Sequence, residues 1–544
     1  MEIVAASVFL VALLAIALEF GHRTKVAMVG AMLVVVLGVI QVEGAIESID
    51  WATLGYNILT VFLLLLVISG AMPVITTLVL FLAIPFHGSI NNYRKSAPYL
   101  PRVAVLVPAW NEEAVIGATI DRFMSLEYPR ARLRVYVIDD ASTDATADVV
   151  EDRAARYPGA VFHLRRSHGG EGKAHTLNHG LNIVLGEDWA EAVLITDADV
   201  IYAPDSLRKL TRHLVDPEVG AVTAYVREGS IRKNYLTRFI AIEYVMAQAA
   251  ARRAQNVLGA QACLAGGAQL HTRENLVAMG SVIDTSGFAE DTVTTFETQL
   301  RGKRVVFDPR AVVLAEEPGT VRALWKQRLR WARGNVEITA RYRAMWFRPD
   351  KGHGLGTLGF GLAWFSIQLL PLVMILSSLG LLGLLLVGSD LANVAFRGLW
   401  VLAACTYFFS IFLSLQLDWG IGRRTLVEAL FFPGIISMIV MLTAFFPGLF
   451  EEVLPSAFGI VLTDTAVFWW TVFVYFWISL SMLGGWLAKA VEGTIVGRVL
   501  TPVLVYVVGY GPILCAITVD SYIKEFRGAE TSWDKTEKTG RVSA

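Results

Sequence analysis

Long stretches without a single charged residue constrain this chain more than any other feature. They run from Val26 to Val42, Trp51 to Phe86, Gly354 to Ser389, Gly398 to Leu417, Ala429 to Phe450, Thr465 to Ala488 and Val499 to Val519. A helix crosses a bilayer with about 20 mainly apolar residues, the working range being roughly 17 to 25. Several of these runs therefore suffice alone. Ile3 to Leu18 is shorter but continues through Glu19. With no basic residue at Met1 or Glu2 and no convincing cleavage site, it reads as a retained helix rather than a signal peptide. The 544-residue chain is 55% hydrophobic and only 17% charged, and an aqueous core does not absorb that apolar excess.

The charges collect in one block, from about Arg94 to Lys351, which is the water-exposed part. The formal net charge of -1 shows no basic surplus, and no nucleic-acid motif is present, so DNA or RNA is not an expected partner. Cys263, Cys405 and Cys515 form neither a metal-spaced pair nor a disulfide framework, and read as small buried apolar residues.

The expected organisation is residues 1–90 as about three transmembrane helices, 91–350 as a catalytic α/β domain with interfacial helices near its end, 351–522 as about five or six membrane segments, and 523–544 as a tail. His22, Arg23 and Lys25 lie in the first loop, Glu43, Glu47 and Asp50 in the second, and Arg94, Lys95 and Arg102 after the third helix. The positive-inside rule then puts the N-terminus outside and the charged block in the cytoplasm. The run Trp51 to Phe86 is too long for one straight span, so either Pro73 kinks it or its end leaves the bilayer near Phe81 to Phe86. Five spans after the domain would put the C-terminus outside.

Within the charged block, Val103 to Val107, Val135 to Ile138 and Val193 to Ile195 read as short strands, separated by helical patterns over Glu113 to Ser125 and Thr143 to Arg156. Strands alternating with helices imply a parallel or mixed open sheet, whose loops at the strand carboxyl ends converge on a ligand crevice. The acidic residues stand at those ends. Asp197 and Asp199 form a D-x-D pair able to turn two hard oxygen ligands toward Mg²⁺ or Mn²⁺, and the same residues also read as a polar turn. Asp139 and Asp140 end the preceding strand, either meeting a nucleoside and the metal region or forming a solvated turn with Ser142 as helix cap. Gly169-Gly170-Glu171-Gly172-Lys173 is not a P-loop, but it offers a close turn whose Lys173, with His168, can meet phosphate. It also reads as a flexible loop before a helix near Ala174.

Sugar transfer to a hydroxyl needs an acceptor for its proton, and Asp291 in Ala289-Glu290-Asp291-Thr292 suits that role, with Glu290 orienting the site. The same carboxylates can cap a helix. In Gln327-Arg328-Leu329-Arg330-Trp331, Gln327 and Trp331 fall on one helix face, where indole stacks on a sugar ring and glutamine binds hydroxyls. Interfacial anchoring is the rival role for Trp331, with Trp325 and Trp346 close by.

In this order, from Pro108-Ala109-Trp110-Asn111-Glu112 through the double aspartate, T-D-A-D, A-E-D-T and Q-R-L-R-W, the motifs over residues 101 to 345 resemble glycosyltransferase family 2. The branch is that of membrane-integrated processive synthases of the cellulose, chitin and poly-N-acetylglucosamine kind. The resemblance implies an α/β GT-A domain with a mixed open sheet, inserted between N-terminal and C-terminal bundles of transmembrane helices. It also implies an inverting reaction with a divalent metal. It makes Pro108, Ala109, Asn111, Glu112, Asp139, Asp140, Lys173, Asp197 and Arg330 nucleotide-sugar contacts, Asp197 and Asp199 the metal pair, and Asp291 the base. Gly266, Gly267, Gln327 and Trp331 become acceptor contacts. Trp533, Thr536, Lys538 and Gly540 in SWDKTEKTG resemble a gating loop that folds over the bound donor, Lys538 meeting its diphosphate; an ordinary charged terminus is the plain alternative. A gating loop requires a cytoplasmic tail and one crossing more or fewer, for example through Val453 to Thr463. A-E-D-T in place of the G-D-D-R of hyaluronan synthases disfavours hyaluronan.

The expected partners are a UDP-sugar donor, a growing glycan and membrane lipids, in a bacterial inner (plasma) membrane with the catalytic domain cytoplasmic. The leading expectation is processive synthesis and export of a β-linked hexose or N-acetylhexosamine polymer. A nonprocessive transferase acting on a lipid-linked acceptor is the enzymatic alternative. A noncatalytic transporter or scaffold is the reading from another class.

Overall fold

The computed structural model describes residues 51–90, 97–231 and 233–529. The first two expected membrane helices and the SWDKTEKTG motif lie outside the described residues.

The charged block folds around one eight-stranded sheet in the order β3-β2-β1-β4-β7-β6-β8-β5. Its strands are β1 (Val103–Ala109), β2 (Leu133–Asp139), β3 (Val161–Arg165), β4 (Ala192–Ile195), β5 (Ile201–Tyr202), β6 (Val219–Glu228), β7 (Gln269–Thr272) and β8 (Arg304–Ala315). β3, β2, β1 and β4 run parallel, β7 is antiparallel to both β4 and β6, and β8 pairs parallel with β6. The mixed open sheet expected from the sequence is therefore present.

Alternation along β1 shows why these residues form a central strand. Val103, Val105 and Val107 pack with Ile116, Ile120 and Phe123 on one face, while Ala104 and Leu106 pack with Leu177 and Leu181 on the other. A strand covered on both faces reads as a continuous apolar run rather than an alternating one. In β8 the pairing to β6 jumps from Asp308 to Val312, so Pro309, which has no N–H for the ladder, sits in a bulge. The bulge turns the end of β8 toward the ligand side of the sheet.

Three described helices are each long and apolar enough to cross a membrane, Ala52–Ile90, Leu391–Leu417 and Asp464–Val491. Three further pairs pass the same test but are bent: Leu358–Gln368 with Leu370–Leu386 by 73°, Ile435–Phe445 with Leu449–Ala457 by 100°, and Gly497–Val508 with Tyr510–Phe526 by 96°. By length and composition this is a membrane protein. At 1.5 Å per residue the 39-residue helix Ala52–Ile90 is about twice as long as the roughly 30 Å hydrocarbon core. The α-helix is interrupted at Gly70, just before Pro73, without a bend of more than 40°. Phe81 and Ile84 near its end pack on Ala250 and Ala254 of the α/β domain. Part of the surplus length is thus taken up by docking on the domain.

The domain and the C-terminal helices share one apolar cluster, which runs from the sheet through Leu324, Trp325 and Leu329 to Val505, Tyr510, Ile513 and Ile517. Trp325 is 1% exposed, donates its Nε1–H to Asp520 Oδ2 at 2.7 Å and packs edge-on against Trp486. Trp346 is buried against Phe296, Phe360 and Trp364. Both indoles are enclosed by other side chains. Of the cysteines only Cys515 is buried; Cys405 is exposed on its helix, and Cys263 reaches the cavity described next.

Candidate active site

At the carboxyl ends of β1, β2 and β4 the sheet opens into a cavity of about 520 Å³. Its wall contains Pro108, Ala109, Glu112, Asp140, Lys173, Asp197, Asp199, Gly266, Gly267, Glu290, Asp291, Gln327, Arg330 and Trp331. Motifs spread from residue 108 to residue 331 thus meet on one concave surface. Asn111 and Asp139 do not line it. Asn111 takes a positive φ of 54°, accepts the Thr143 N–H at 2.8 Å and donates its own N–H to Ser142. Asp139 is fully buried and accepts the Ser142 N–H at 2.8 Å, with His163 Nε2 3.4 Å from its other oxygen. Both brace the two strand-end loops against each other. Ser142 is spent on that brace and does not cap the helix Thr146–Arg156; Asp144 instead accepts the Thr146 N–H at 3.0 Å.

Asp140 is where the glycine-rich turn attaches. Its carboxylate accepts the Gly170 N–H at 2.9 Å and pairs with Arg166, which also binds Glu171. The turn then leads straight into the helix Lys173–Gly186, so Lys173 starts its helix already facing the acidic cluster. Its ammonium lies 2.5 Å from Asp197 Oδ1 and 3.7 Å from Glu290 Oε1. Burial works against that charge, but Asp197 and Glu290 outweigh it and hold the lysine above its ordinary pKa. For Glu290 burial dominates; with Asp291 adding to it and Lys173 opposing, the carboxyl is pushed up to about 7.

Asp291 is the second residue of the helix Glu290–Leu300 and faces the cavity; the N-cap is Ala289, with no side-chain cap, so the two carboxylates sit in the first turn without capping it as the sequence reading allowed. One carboxylate oxygen accepts the Thr292 N–H at 2.8 Å. The other is fixed by its relation to Gly266: a Cβ on that glycine would stand 3.5 Å from Asp291 Oδ2, 3.5 Å from Lys173 Nζ and 3.8 Å from Asp197 Oδ2. The Asp291 carboxylate, the Lys173 ammonium and the Asp197 carboxylate therefore stand around one point beside Gly266, at ordinary van der Waals distance from where a Cβ would lie.

Among the described residues no three His, Cys, Asp or Glu side chains form a ready-made metal cage. A hard divalent ion of the Mg²⁺ type is commonly held by one or two carboxylates together with the substrate's phosphates and several waters. Asp197 and Asp199, both on the cavity wall, supply such a donor pair.

Gln327 and Trp331 share a face of the helix Val321–Arg341, and the Trp331 ring is 40% exposed at the cavity wall. One wall was not foreseen from the sequence. The helix Tyr235–Tyr244 passes into a π-helical stretch, Val245–Ala251, and Tyr244, Gln248 and Arg252 at four-residue spacing all line the cavity. The Gln248 side-chain oxygen is buried there without a hydrogen-bond partner. Nothing in IEYVMAQAAARR marks it, because an amphipathic core helix has the same pattern; only the interruption of the α-helix separates the two.

A mixed open sheet with carboxylates on its strand-end loops around such a cavity is the arrangement of a nucleotide-binding α/β domain. Residues 101–334 match the family model described as "Glycosyltransferase like family 2". The α/β domain is thus similar to a glycosyltransferase family 2 domain. The relatives it matches include a probable glycosyltransferase of Bacillus subtilis, 31% identical over 265 residues that span 48% of this chain and 62% of that protein. A beta-monoglucosyldiacylglycerol synthase of Synechocystis is 31% identical over 46% of this chain and 50% of its own length. A poly-beta-1,6-N-acetyl-D-glucosamine synthase of Staphylococcus epidermidis is 28% identical over 47% of this chain and 60% of its own. The matches thus span between half and two thirds of these relatives' own lengths.

Proposed function

We propose that this protein is a membrane-integrated, inverting glycosyltransferase that extends a β-linked hexose or N-acetylhexosamine polysaccharide from a UDP-sugar and passes it across the membrane. The observation that carries the reading is the convergence of Asp291, Lys173 and Asp197 around Gly266, with Trp331 on the same cavity wall. Asp291 takes the proton as the acceptor hydroxyl attacks the anomeric carbon. Lys173 and Arg330 meet the diphosphate, and Glu290 keeps Lys173 in place. Asp197 and Asp199 would hold a divalent ion, which when bound would supply charge neutralisation for the leaving nucleoside diphosphate. Gln327 and Trp331 receive the acceptor sugar, the indole face covering the apolar side of the ring. A single displacement opposite the leaving group gives inversion.

The relative named as a poly-N-acetylglucosamine synthase supports a polymer product. The glucosyldiacylglycerol synthase supports a second reading, in which a lipid accepts one sugar. Purified protein incubated separately with UDP-glucose, UDP-GlcNAc, UDP-galactose, UDP-glucuronate and GDP-mannose separates the two. A ladder of products with matching nucleotide release is expected, and a single-addition lipid product from every donor refutes the polymerase reading. EDTA should abolish the release, and Mg²⁺ or Mn²⁺ should restore it.

A further inference from the structure

Trp331 stands on an exposed helix turn at the cavity wall, where a bare indole would rotate among rotamers. One of its faces is covered: the Arg328 guanidinium carbon lies 4.1 Å from the ring centroid. Arg328 itself is only 6% exposed and is held from three sides. Its Nη2 donates to Glu243 Oε2 at 2.9 Å, its Nη1 donates to Gln327 Oε1 at 2.7 Å, and the Tyr244 ring lies 5.6 Å away. Glu243 is fixed in turn by the Tyr510 hydroxyl, which donates to the same Oε2 at 2.6 Å. Tyr510 is fully buried, stacks on Phe239, and is the first residue after the bend between Gly497–Val508 and Tyr510–Phe526. A chain of contacts thus runs from a bent membrane-helix pair, through a buried ion pair, to the one indole that borders the cavity on the Q-R-L-R-W helix.

We propose that Arg328, locked by Glu243 and Tyr510, is a positioning residue that fixes the plane of the Trp331 indole, so that its uncovered face is presented to the acceptor sugar. The proposal rests on the reading of Trp331 as an acceptor contact. The contact geometry supports it in two ways. Arg328 occupies one π-face, leaving a single face for a pyranose, and a guanidinium over indole is the strongest class of such contacts. Arg328 also binds Gln327, so the two side chains assigned to the acceptor are set by one group. The planar fork of arginine is what allows stacking on Trp331 and hydrogen bonding to Glu243 and Gln327 together, which a lysine at this position does not reproduce in full.

The test uses the full-length protein in lipid nanodiscs, with UDP binding by calorimetry and transfer from the donor found active in the panel above. β-Linked oligosaccharides of the corresponding sugar serve as added acceptor. Arg328→Met is expected to raise the acceptor KM about tenfold or more while UDP affinity stays within twofold, and Arg328→Lys to recover part of the loss. Tyr510→Phe removes only the hydroxyl on Glu243, and is expected to shift the acceptor KM in the same direction by a few-fold. In a Trp331→Leu background, Arg328→Met should shift the acceptor KM by much less than in the wild type, retaining only the part that passes through Gln327. Loss of UDP affinity in parallel with transfer, or full additivity with Trp331→Leu, overturns the positioning role while leaving the enzyme assignment intact. A wild-type protein that binds no UDP and releases none from any donor overturns the assignment and this proposal with it.

Discussion

Asp291 stands in the first turn of its helix and faces the cavity. Thr292 satisfies one carboxylate oxygen and the other points to the gap over Gly266. Asp291→Asn keeps the shape and the hydrogen bond but cannot take a proton, so transfer should fall roughly 10²-fold or more while UDP affinity is retained. Unchanged turnover, measured as nucleotide release, would remove Asp291 from the base role. Trp325 makes the matching point for stability. Its indole N–H satisfies Asp520, which is 6% exposed, so Trp325→Phe should leave a buried carboxylate short of a partner and cost about 1–3 kcal/mol, seen as a lower unfolding temperature. Asp197, Asp199, Asp291 and the Q-R-L-R-W face stood out in the sequence as short local patterns, and the fold brings them to one cavity wall. Arg328 did not stand out in this way, since its role depends on Glu243, 85 residues away.

Helices in this protein are broken where the backbone needs it. Gly509 separates Gly497–Val508 from Tyr510–Phe526 with φ 104°, and a Cβ there would stand 2.4 Å from the Pro433 carbonyl carbon. Gly434, with φ 91°, faces it from the other chain segment, where a Cβ would meet Val508 at 2.4 Å. The two breaks lie back to back, and the Gly511 N–H donates to Phe432 O at 3.1 Å across them. Gly509→Ala should therefore destabilise the C-terminal helices by more than the roughly 1–3 kcal/mol of backbone strain alone, because the clash is with main chain that has nowhere to move. Loss of monodisperse protein on gel filtration, or a sharp fall in thermal stability, is the expected result; wild-type behaviour would contradict the close approach. Runs of apolar residues announced these helices, but not their bends. The single break in Val499 to Val519 is a glycine flanked by apolar residues, and hydropathy does not register it.

Ion pairs join the α/β domain to the membrane helices as the shared apolar cluster does. Arg227 lies 2.7 Å from Asp418, and Arg238 lies 3.2 Å from Glu428, whose carboxylate also accepts the Tyr506 hydroxyl. With the apolar cluster continuous from sheet to helices, the domain is seated on the membrane region rather than tethered to it. Sidedness is tested on the whole protein. If residues 91–350 are cytoplasmic and the tail folds over the donor site, a C-terminal tag should be labelled only after the membrane is opened to the cytoplasmic side. Labelling from outside would remove the gating-loop role from Trp533, Thr536 and Lys538.

What the sequence determined by itself was whatever local physics writes into a short window. Uncharged runs of spanning length, strands buried on both faces and carboxylates at strand ends are all of this kind, and the family resemblance was assembled from them in order. The tertiary structure decided the rest: the order of the four later strands, the seating of Lys173 in the acidic cluster, the π-helical wall, and the link from Tyr510 to Glu243 across 267 residues. Those features come from contacts between segments far apart in the chain. Their energies depend on which surfaces meet, and no window of neighbouring residues carries that information.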